Sequence, residues 1–397
     1  MKLDPLKSCK ARRILIFSLS YFPRFVGGAE VAVKEITDRI PPSEIEFDMI
    51  TLGDGSSPTD ERLGSIRVYR IFNSNGWPQK LAFPFAAYLK AQKLAANKHY
   101  DLVWAIMASY GGLAALLFKR KHPEVPVILN VQEGDNFRRR NGFWRPLFRR
   151  IFRSADRIHA ISNYLAGWAR DMGATCPVNV VPNAVDFGLF SKEILENDKE
   201  SLKKKLCKKE GDVFLITTSR LVEKNAVGDI IDSLQYLPKN VKLLVLGQGP
   251  LEKDLKHQTL RLGLNYTDEP PVNPGNRIHF IGYVSHALMP AYLAISEVFV
   301  RPSLSEGLGI SFLEAMAAGV PVVGTSVGGI PDFLEEGETG VFCEVKNPKN
   351  IAQKVEKYLK DAESREYIVK KAKALVKEKY QWEKIVGDVK RVFLESK

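Results

Sequence analysis

One stretch, VFVRPSLSEGLGISFLEAMAAGVPVVGT at residues 298–325, limits the possible folds of this chain more than any other. It opens with a short apolar run, passes through a loop that contains Gly307 and Gly309, continues as a helical pattern from about Ser311 to Gly319, and ends in a second apolar run. The order of strand, glycine-bearing loop, helix and strand predicts a βαβ unit of a parallel sheet. A loop of this kind presents backbone N–H groups and the positive end of a helix, which favours a bound anion.

Two carboxylates occur in this stretch, eight positions apart. Glu306 lies in the loop, beside the predicted anion site, and Glu314 lies one turn into the helix, where it could accept hydrogen bonds from two vicinal hydroxyl groups. The alternative is an ordinary βαβ unit in which both carboxylates are merely solvated. The spacing alone does not decide between these two interpretations.

The residues around these carboxylates resemble the signature of the retaining glycosyltransferases of family four, which have the GT-B fold. The resemblance rests on the E-x7-E spacing, on AMAAGVPVVGT directly after it, and on GGIP at residues 328–331. It implies an α/β protein with two Rossmann-like, doubly wound domains that face a central cleft. It also implies that Glu306 contacts the donor sugar, that Glu314 holds the ribose, and that four backbone amides face the sugar and diphosphate: those of Gly307, Leu308, Gly309 and Ile310.

The length of 397 residues also favours two domains over a single core. We predict an N-terminal, acceptor-side domain at residues 1–190 and a C-terminal, nucleotide-sugar-binding domain at residues 191–380. The resemblance implies that residues 381–397 form a helix that crosses back to the first domain. The polar, lysine-rich run at residues 191–210 is the natural linker and the start of the second domain.

Near the N-terminus, an apolar strand pattern at residues 13–18 is followed by Gly27, Gly28 and a helical pattern. Two glycines before a helix allow the backbone to approach a ligand closely, but a simple tight turn explains them equally well. The resemblance implies a G-G-x-E element at residues 27–30 that lines the cleft near the donor phosphates and the acceptor. No G-x-x-x-x-G-K-[ST] motif follows, which excludes a P-loop ATPase.

A second strand pattern of this half, at residues 125–131, ends in Gln132, Glu133, Gly134 and Asp135. Ligands of open α/β sheets bind at the carboxyl ends of the strands, so we predict Gln132 and Glu133 as acceptor-side or catalytic residues. Many family members have a histidine here that contacts the donor sugar. This chain has Gln132 at that position, and we therefore assign no catalytic histidine.

The second half begins with a strand pattern at residues 213–219, followed by Arg220 and Lys224. Two cations at a strand end, beside a helix start, suit a diphosphate clamp, although solvated surface residues are the alternative. In the family an arginine and, five residues later, a lysine grip the diphosphate, whereas the fifth position here is Asn225. The resemblance further implies that Gly247 opens a G-x-G-P turn and that Val284 lies where relatives hold the nucleotide base.

The net charge of +12 points to an anionic partner. The most basic stretch, residues 137–157 from Phe137 to Arg157, has eight arginines and one acid, with aromatic residues between them. It suits an anionic membrane surface, and it suits equally a domain helix whose apolar face lies in the core. A basic protein that binds nucleic acid is a further alternative, but no recognised nucleic-acid motif accompanies the stretch, so we expect no nucleic-acid partner.

From these features we predict transfer of a sugar from a UDP- or GDP-sugar donor to a glycan or lipid-linked acceptor, with retention. A nucleotide-sugar epimerase of the same fold is the alternative enzyme. No D-x-D motif is present and the four cysteines have no metal spacing, so we expect neither a metal nor another cofactor. The cysteines and the lack of an apolar run of about 18 residues favour the cytoplasm, with attachment to the inner face of the membrane left open.

Overall fold

The computed structural model describes residues 11–24, 27–74, 76–133, 142, 144–268 and 275–396. The chain divides into two compact units: Met1–Asn183 together with Trp382–Lys397, and Ala184–Gln381. The sequence-based boundary at residue 190 therefore differs from the division in the structure, which falls after Asn183. The second division lies after Gln381, one residue later than the predicted boundary between residues 380 and 381.

The first unit is built on an eight-stranded sheet in the order β3-β4-β2-β1-β5-β6-β7-β8. All described neighbours are parallel except β3 and β4. The central strands are buried apolar runs because helices cover both faces of such a sheet. The strands are β1 (Arg12–Phe17), β2 (Ile45–Leu52), β3 (Asp60–Leu63), β4 (Ile66–Ile71), β5 (Leu102–Ile106), β6 (Val127–Val131), β7 (Arg157–Ala160) and β8 (Val178–Val180).

In the described part of this unit, five helices lie between strands along the sequence. They are α1 (Gly28–Asp38), α2 (Trp77–Ala95), α3 (Gly112–Lys121), α4 (Arg145–Ser154) and α5 (Asn163–Asp171). A π-helical turn, Met107–Gly111, leads from β5 into α3. Helix α3 packs against both α2 and α4, so these three helices lie side by side.

The second unit is built on a seven-stranded sheet whose described pairings are all parallel, in the order β11-β12-β10-β9-β13-β14-β15. Its core is formed by aliphatic side chains of the central strands and of the flanking helices. The strands are β9 (Val213–Thr218), β10 (Val241–Leu246), β11 (Tyr266–Asp268), β12 (Ile278–Gly282), β13 (Val298–Arg301), β14 (Val322–Thr325) and β15 (Val341–Cys343).

The helices of the second unit include one in the segment predicted as a linker. Residues Glu196–Lys205 form α7. The acidic residues in its first turn and the lysines in its last turn stabilise the helix through their interaction with its dipole. The described helices are α6 (Phe187–Phe190), α7, α8 (Val227–Ser233), α9 (Glu252–Arg261), α10 (Met289–Ala294), α11 (Ile310–Ala317), α12 (Pro348–Lys360) and α13 (Ala362–Lys379).

The last helix, α14 (Trp382–Glu395), belongs to the first unit and covers the sheet face opposite to α3. Its Phe393 ring contacts Trp104 of β5, with the ring centroids 5.0 Å apart, whereas Phe17 of β1 contacts Phe118 of α3. Phe17 pairs with Ala105, the neighbour of Trp104, and adjacent residues of a strand point to opposite faces. Helix α14 also packs against α1, so α1 and α14 share one face of the sheet.

The prediction of two Rossmann-like α/β domains is thus confirmed. Within the described residues, no helix combines the length and the hydropathy of a transmembrane span.

Candidate functional site

In the second unit, the predicted donor-binding residues follow neighbouring parallel strands. Arg220 comes after β9, Gly247 after β10, Val284 after β12 and Glu306 after β13. Because the strands are parallel, all of these residues lie at the same, carboxyl edge of one sheet, where open α/β sheets bind ligands.

A residue that the sequence reasoning missed, Arg301, organises this edge. It ends β13 and is 8% exposed. Its guanidinium donates to Glu306 Oε2 at 2.6 Å, to Asn225 Oδ1 at 2.9 Å and to Ser311 Oγ at 2.6 Å. The planar guanidinium can serve three acceptors in fixed directions, so it orients the Glu306 carboxylate and joins three separate segments.

The pairing of Arg301 with Glu306 has two consequences. Both side chains are largely withdrawn from water, and a charge in that environment is tolerated only when it is paired and hydrogen-bonded. Each charge also offsets the other, so Arg301 adds little net positive charge for a diphosphate. An arginine inside the otherwise apolar run VFVRPS was the sequence signal that could have identified this residue.

The loop after β9 explains why Asn225 stands where the family has a lysine. Asn225 is 2% exposed, and its side-chain amide donates to the Arg220 carbonyl at 2.7 Å while its oxygen accepts from Arg301. Arg220 itself is exposed, and Lys224 lies half-buried in a short 3-10 turn, Glu223–Asn225. The Lys224 carbonyl accepts from the Leu304 amide at 2.7 Å, which holds the β9 loop against the β13 loop.

The glycine-bearing loop enters α11 through a left-handed residue. Gly309 has φ +105°, and a Cβ atom at this position would lie 2.9 Å from the Phe312 ring, so the position favours glycine on two grounds. Helix α11 then begins at Ile310. The Phe312 amide donates to the Gly309 carbonyl at 3.1 Å, and the first N–H groups of a helix have no acceptor within the helix itself. Gly307, Leu308 and Gly309 are buried, and the Gly307 amide donates to Glu306 Oε1 at 3.1 Å.

Glu314, in the second turn of α11, contacts a histidine. His286 Nε2 lies 3.0 Å from Glu314 Oε1, and the His286 ring packs edge-to-face on Phe190. The Glu314 side chain is 13% exposed. The carboxylate is therefore held in a fixed position before any hydroxyl groups reach it.

The turn at Gly247 is shaped by its own backbone packing. Gly247 has φ +128°, and a Cβ atom there would lie 2.0 Å from the Ser219 carbonyl oxygen. Its amide donates to the Gly282 carbonyl at 2.7 Å, next to the half-buried Val284. This geometry explains the glycine without a ligand, so a contact of Gly247 with the donor stays a prediction.

In the first unit, Gln132 belongs to a buried amide network after β6. Its Nε2 donates to Asn130 Oδ1, and its Oε1 accepts from Asn183 Nδ2 at 2.9 Å. Asn130 in turn donates to the His159 carbonyl at 3.2 Å. Gln132 is 7% exposed, and its side chain is fixed at the carboxyl edge of the first sheet.

Glu133 is held more tightly still and is 2% exposed. Its Oε1 accepts from the Ala108 amide at 2.6 Å and its Oε2 from the Gln132 amide at 3.0 Å. A carboxylate that accepts from two backbone amides stabilises a loop, so this geometry favours a positioning role over acid–base chemistry. The neighbouring Gly134 and Asp135 lie outside the described residues.

Gly27 and Gly28 form the start of α1. The Gly27 amide donates to Glu30 Oε2 at 3.0 Å, so the glutamate of the G-G-x-E element caps its own helix. Burial raises the pKa of Glu30, although its bonds to backbone amides oppose the shift. A role of Gly27 and Gly28 at the donor phosphates stays a prediction. Residues 25 and 26 lie outside the described part.

The arginine-rich stretch is only partly described, since residues 137–141 and 143 lie outside the described part. In helix α4, Phe148, Ile151 and Phe152 are buried, and both phenylalanine rings contact Trp168 of α5. Arg145, Arg149, Arg150 and Arg153 are exposed. The phenylalanine side chains of α4 therefore belong to the core of the first unit, whereas its four arginines face water.

In the described part of the chain, no group of three or more His, Cys, Asp or Glu side chains is arranged to hold a metal ion.

Two family models match this chain. Residues 26–188 match the model described as Glycosyltransferase Family 4, and residues 198–375 match Glycosyl transferases group 1. The first match ends five residues after the division of the structure at Asn183, and the second lies within the second unit.

Similar proteins cover nearly the whole chain. An uncharacterized glycosyltransferase of Methanocaldococcus jannaschii is 26% identical over 96% of this chain and 97% of its own length. The N-acetyl-alpha-D-glucosaminyl L-malate synthase of Bacillus anthracis is 26% identical over 93% of this chain and 94% of its own. The crystal structure of Anabaena HepE in complex with UDP and glucose superposes with a TM-score of 0.78, at 19% identity, over 96% of this chain and 99% of that one.

Proposed function

Because this chain belongs to the glycosyltransferases of family four, group 1, with the GT-B fold, we propose that it transfers a sugar from a UDP- or GDP-sugar to an acceptor hydroxyl with retention at the anomeric carbon. The observation that carries the proposal is the row of Arg220, Gly247, Val284 and Glu306 along one sheet edge, beside the start of α11. A phosphate-bearing ligand at that edge meets cations, glycine-bearing loops and first-turn amides together.

The chemistry requires that a departing nucleoside diphosphate be stabilised. Arg220 is exposed at the sheet edge and supplies a cation for the diphosphate, Lys224 supplies a second, and the first-turn amides of α11 supply N–H groups. Arg301 does not serve this purpose, since Glu306 offsets its charge at 2.6 Å. Glu306 positions the sugar, and Glu314 accepts the ribose hydroxyls.

Two side-chain variants test this division of roles. Arg220→Ala and Lys224→Ala should each lower turnover more than they lower affinity for the free nucleoside, because their cations act on the diphosphate. If Lys224→Ala leaves turnover unchanged, Lys224 takes no part in the reaction. Its position, one residue before the family's lysine, then keeps its side chain away from the diphosphate.

For the acceptor we propose a glycan or a lipid-linked glycan of the cell envelope, reached from the cytoplasmic side. The exposed arginines of α4, with the rest of residues 137–157, are suited to hold the protein at an anionic membrane surface as a peripheral protein. Each basic residue near such a surface contributes about 1 kcal/mol, and added salt weakens the attraction.

The experiment is a thermal-shift panel of UDP, GDP and ADP, each with its sugar derivatives, because a ligand that binds only the folded chain raises the melting temperature. We expect one nucleotide family to raise it and the matching sugar nucleotide to support transfer. No shift with any nucleotide would contradict the proposal.

Product analysis separates transfer from the alternative enzyme. A retaining transferase yields a glycoside with the donor's anomeric configuration, whereas an epimerase of this fold releases free sugar or an epimer without any acceptor. We propose that no divalent cation takes part, so turnover should survive excess EDTA. Loss of turnover with EDTA and recovery with magnesium or manganese would contradict that part.

A further inference from the structure

Helix α2 carries large apolar side chains on the face that points away from its own sheet. Trp77, Leu81, Phe85 and Leu89 recur at every fourth position and are 72%, 46%, 58% and 59% exposed. Residues four apart lie on one side of an α-helix, so these side chains form a continuous row, about 18 Å long at 1.5 Å per residue. We refer to these four residues as the α2 stripe.

The α2 stripe is not needed to hold the helix on its domain. The opposite side of α2 buries Phe83, Pro84, Ala87 and Ala91, and the helix packs against α3, β2 and β4. An amphipathic helix on a domain surface normally exposes its polar face, whereas the exposed face of α2 is apolar. Single exposed apolar residues are common, but a contiguous row of this kind marks an interaction site.

The charged residues around the α2 stripe indicate the chemistry of its partner. Helices α2, α3 and α4 lie side by side and contain ten Lys and Arg residues and no Asp or Glu: three lysines in α2, residues 119–121 in α3 and four arginines in α4. On the other face of the same sheet, α1 and α14 carry six acidic and four basic residues. One of the ten, Lys119, pairs with Asp156 beyond the end of α4. The positive charge is therefore concentrated on the face that carries the stripe.

We infer that the α2 stripe inserts into the interfacial region of an anionic lipid bilayer. The inference rests on the membrane attachment proposed above and names its apolar element, which α4 cannot supply because its own aromatic side chains are buried. Tryptophan, phenylalanine and leucine side chains are suited to the boundary between headgroups and acyl chains, and flanking lysines can extend toward the headgroups. Basic residues spread over three helices match a continuous anionic surface better than they match one groove of a protein partner.

The test is flotation of the full-length chain with vesicles of phosphatidylcholine alone, or of phosphatidylcholine with phosphatidylglycerol. We expect binding only to the anionic vesicles. Phe85→Ser combined with Leu89→Ser should lower the partition coefficient at least tenfold, without a change in melting temperature. The matched control is Leu195→Ser combined with Leu260→Ser, which removes two exposed leucines of the second unit and should bind as wild type does.

A second measurement locates the contact without relying on the double variant. Phospholipids with brominated acyl chains should quench the tryptophan fluorescence of the wild-type chain, and Trp77→Phe should lower that quenching more than Trp144→Phe does, which removes the exposed indole just before α4. Wild-type binding by the stripe variant, absence of quenching, or equal binding to neutral vesicles would overturn the inference. So would sedimentation as an oligomer that the double variant converts to a monomer without lipid, because the stripe would then bind a second copy of the chain.

Nucleotide binding is measured on the same variants by thermal shift. Failure of the lipid experiment with an intact nucleotide shift overturns only the α2 assignment. Absence of a nucleotide shift in the wild-type chain, with normal vesicle binding, overturns the proposed transfer reaction alone.

Discussion

At the scale of single residues, the second unit depends on Arg301 and its three side-chain acceptors. Arg301 joins Asn225 after β9, Glu306 after β13 and Ser311 of α11. Removal of one partner from such a buried set leaves a charge without compensation, which costs more than the pair contributes. The orientation of Glu306 is therefore a property of this set and not of Glu306 alone.

Arg301→Lys tests that statement, because lysine keeps the charge but lacks the planar fork of donors. We expect kcat/KM for the donor to fall at least about tenfold, equivalent to about 1.4 kcal/mol. Arg277→Lys is the matched control: Arg277 donates to the carbonyls of Val241 and Pro238 at the opposite end of the sheet, so its loss should lower stability but not kcat/KM. Unchanged kcat/KM in a folded Arg301→Lys variant would show that Glu306 needs no such support.

Glu314→Ala tests the assignment of the ribose contact. If Glu314 accepts two hydroxyl groups, its removal leaves them poorly paired and should weaken nucleotide binding by about 1–3 kcal/mol. Isothermal titration with UDP or GDP measures the change. Glu338→Ala removes a surface carboxylate that bonds Tyr367 and should leave the affinity unaltered. Equal affinities for the wild type and the Glu314→Ala variant would refute the assignment.

At the scale of elements, the site residues lie in the loops that connect the ends of strands to the starts of helices. The loop between β13 and α11 is held on one side by the Leu304–Lys224 backbone bond and on the other by the Gly329 amide, which donates to the Glu306 carbonyl at 3.1 Å. Such a loop is stiff, which suits a site that must direct amides at a developing charge. Gly309 is the residue at which the chain turns from the loop into the helix.

Gly309→Ala should therefore disturb both stability and binding. An alanine at this position would have to adopt a φ of +105°, and its methyl group would lie 2.9 Å from the Phe312 ring. We expect a loss of about 1–3 kcal/mol in the free energy of unfolding, and a weaker affinity for the nucleotide. Gly337→Ala is the control, since Gly337 has φ +77° with open space around its Cβ position. If the two variants lose equal stability and both keep their affinity, the packing of Gly309 against Phe312 is unimportant.

At the scale of the whole molecule, one buried histidine of the first unit couples stability to pH. His159 is 1% exposed, its Nε2 lies 2.8 Å from the Val181 carbonyl, and burial lowers its pKa from 6.5 to about 4. Below pH 6.5 the unfolded chain takes up a proton that the folded chain does not. Stability from this group is therefore complete above pH 6.5 and is lost as the pH falls toward 4.

We expect the free energy of unfolding to fall by up to about 1.4 kcal/mol per pH unit in that window from His159 alone. Urea unfolding at several pH values between 7 and 4 measures the slope. His159→Gln should lower this slope by the contribution of one proton, whatever the effect of the substitution on stability at pH 7. His99→Gln is the control for loss of an imidazole at an exposed position, where the side chain is 74% exposed. An unchanged slope in His159→Gln would disprove the coupling.

Local sequence was sufficient for the alternation of strands and helices, because buried strands, glycine-bearing loops and amphipathic helices each have their own periodicity. Residues 298–325 alone predict β13, α11 and β14 in order, and the structure has them at Val298–Arg301, Ile310–Ala317 and Val322–Thr325. Gly309 could also be identified from sequence, since a left-handed residue before a helix favours glycine. The predicted family follows from the same segment and is confirmed.

Only the tertiary structure determined which distant residues meet. Asn225 and Arg301 are 76 positions apart and come together because β9 and β13 are neighbours in the sheet. The bond from the Ala108 amide to Glu133 depends likewise on the turn after β5, which lies 25 positions earlier in the chain. The exposed row on α2 is likewise decided by tertiary structure. The sequence of α2 has apolar residues on two faces, and the sheet and helices against which α2 packs determine which face is buried.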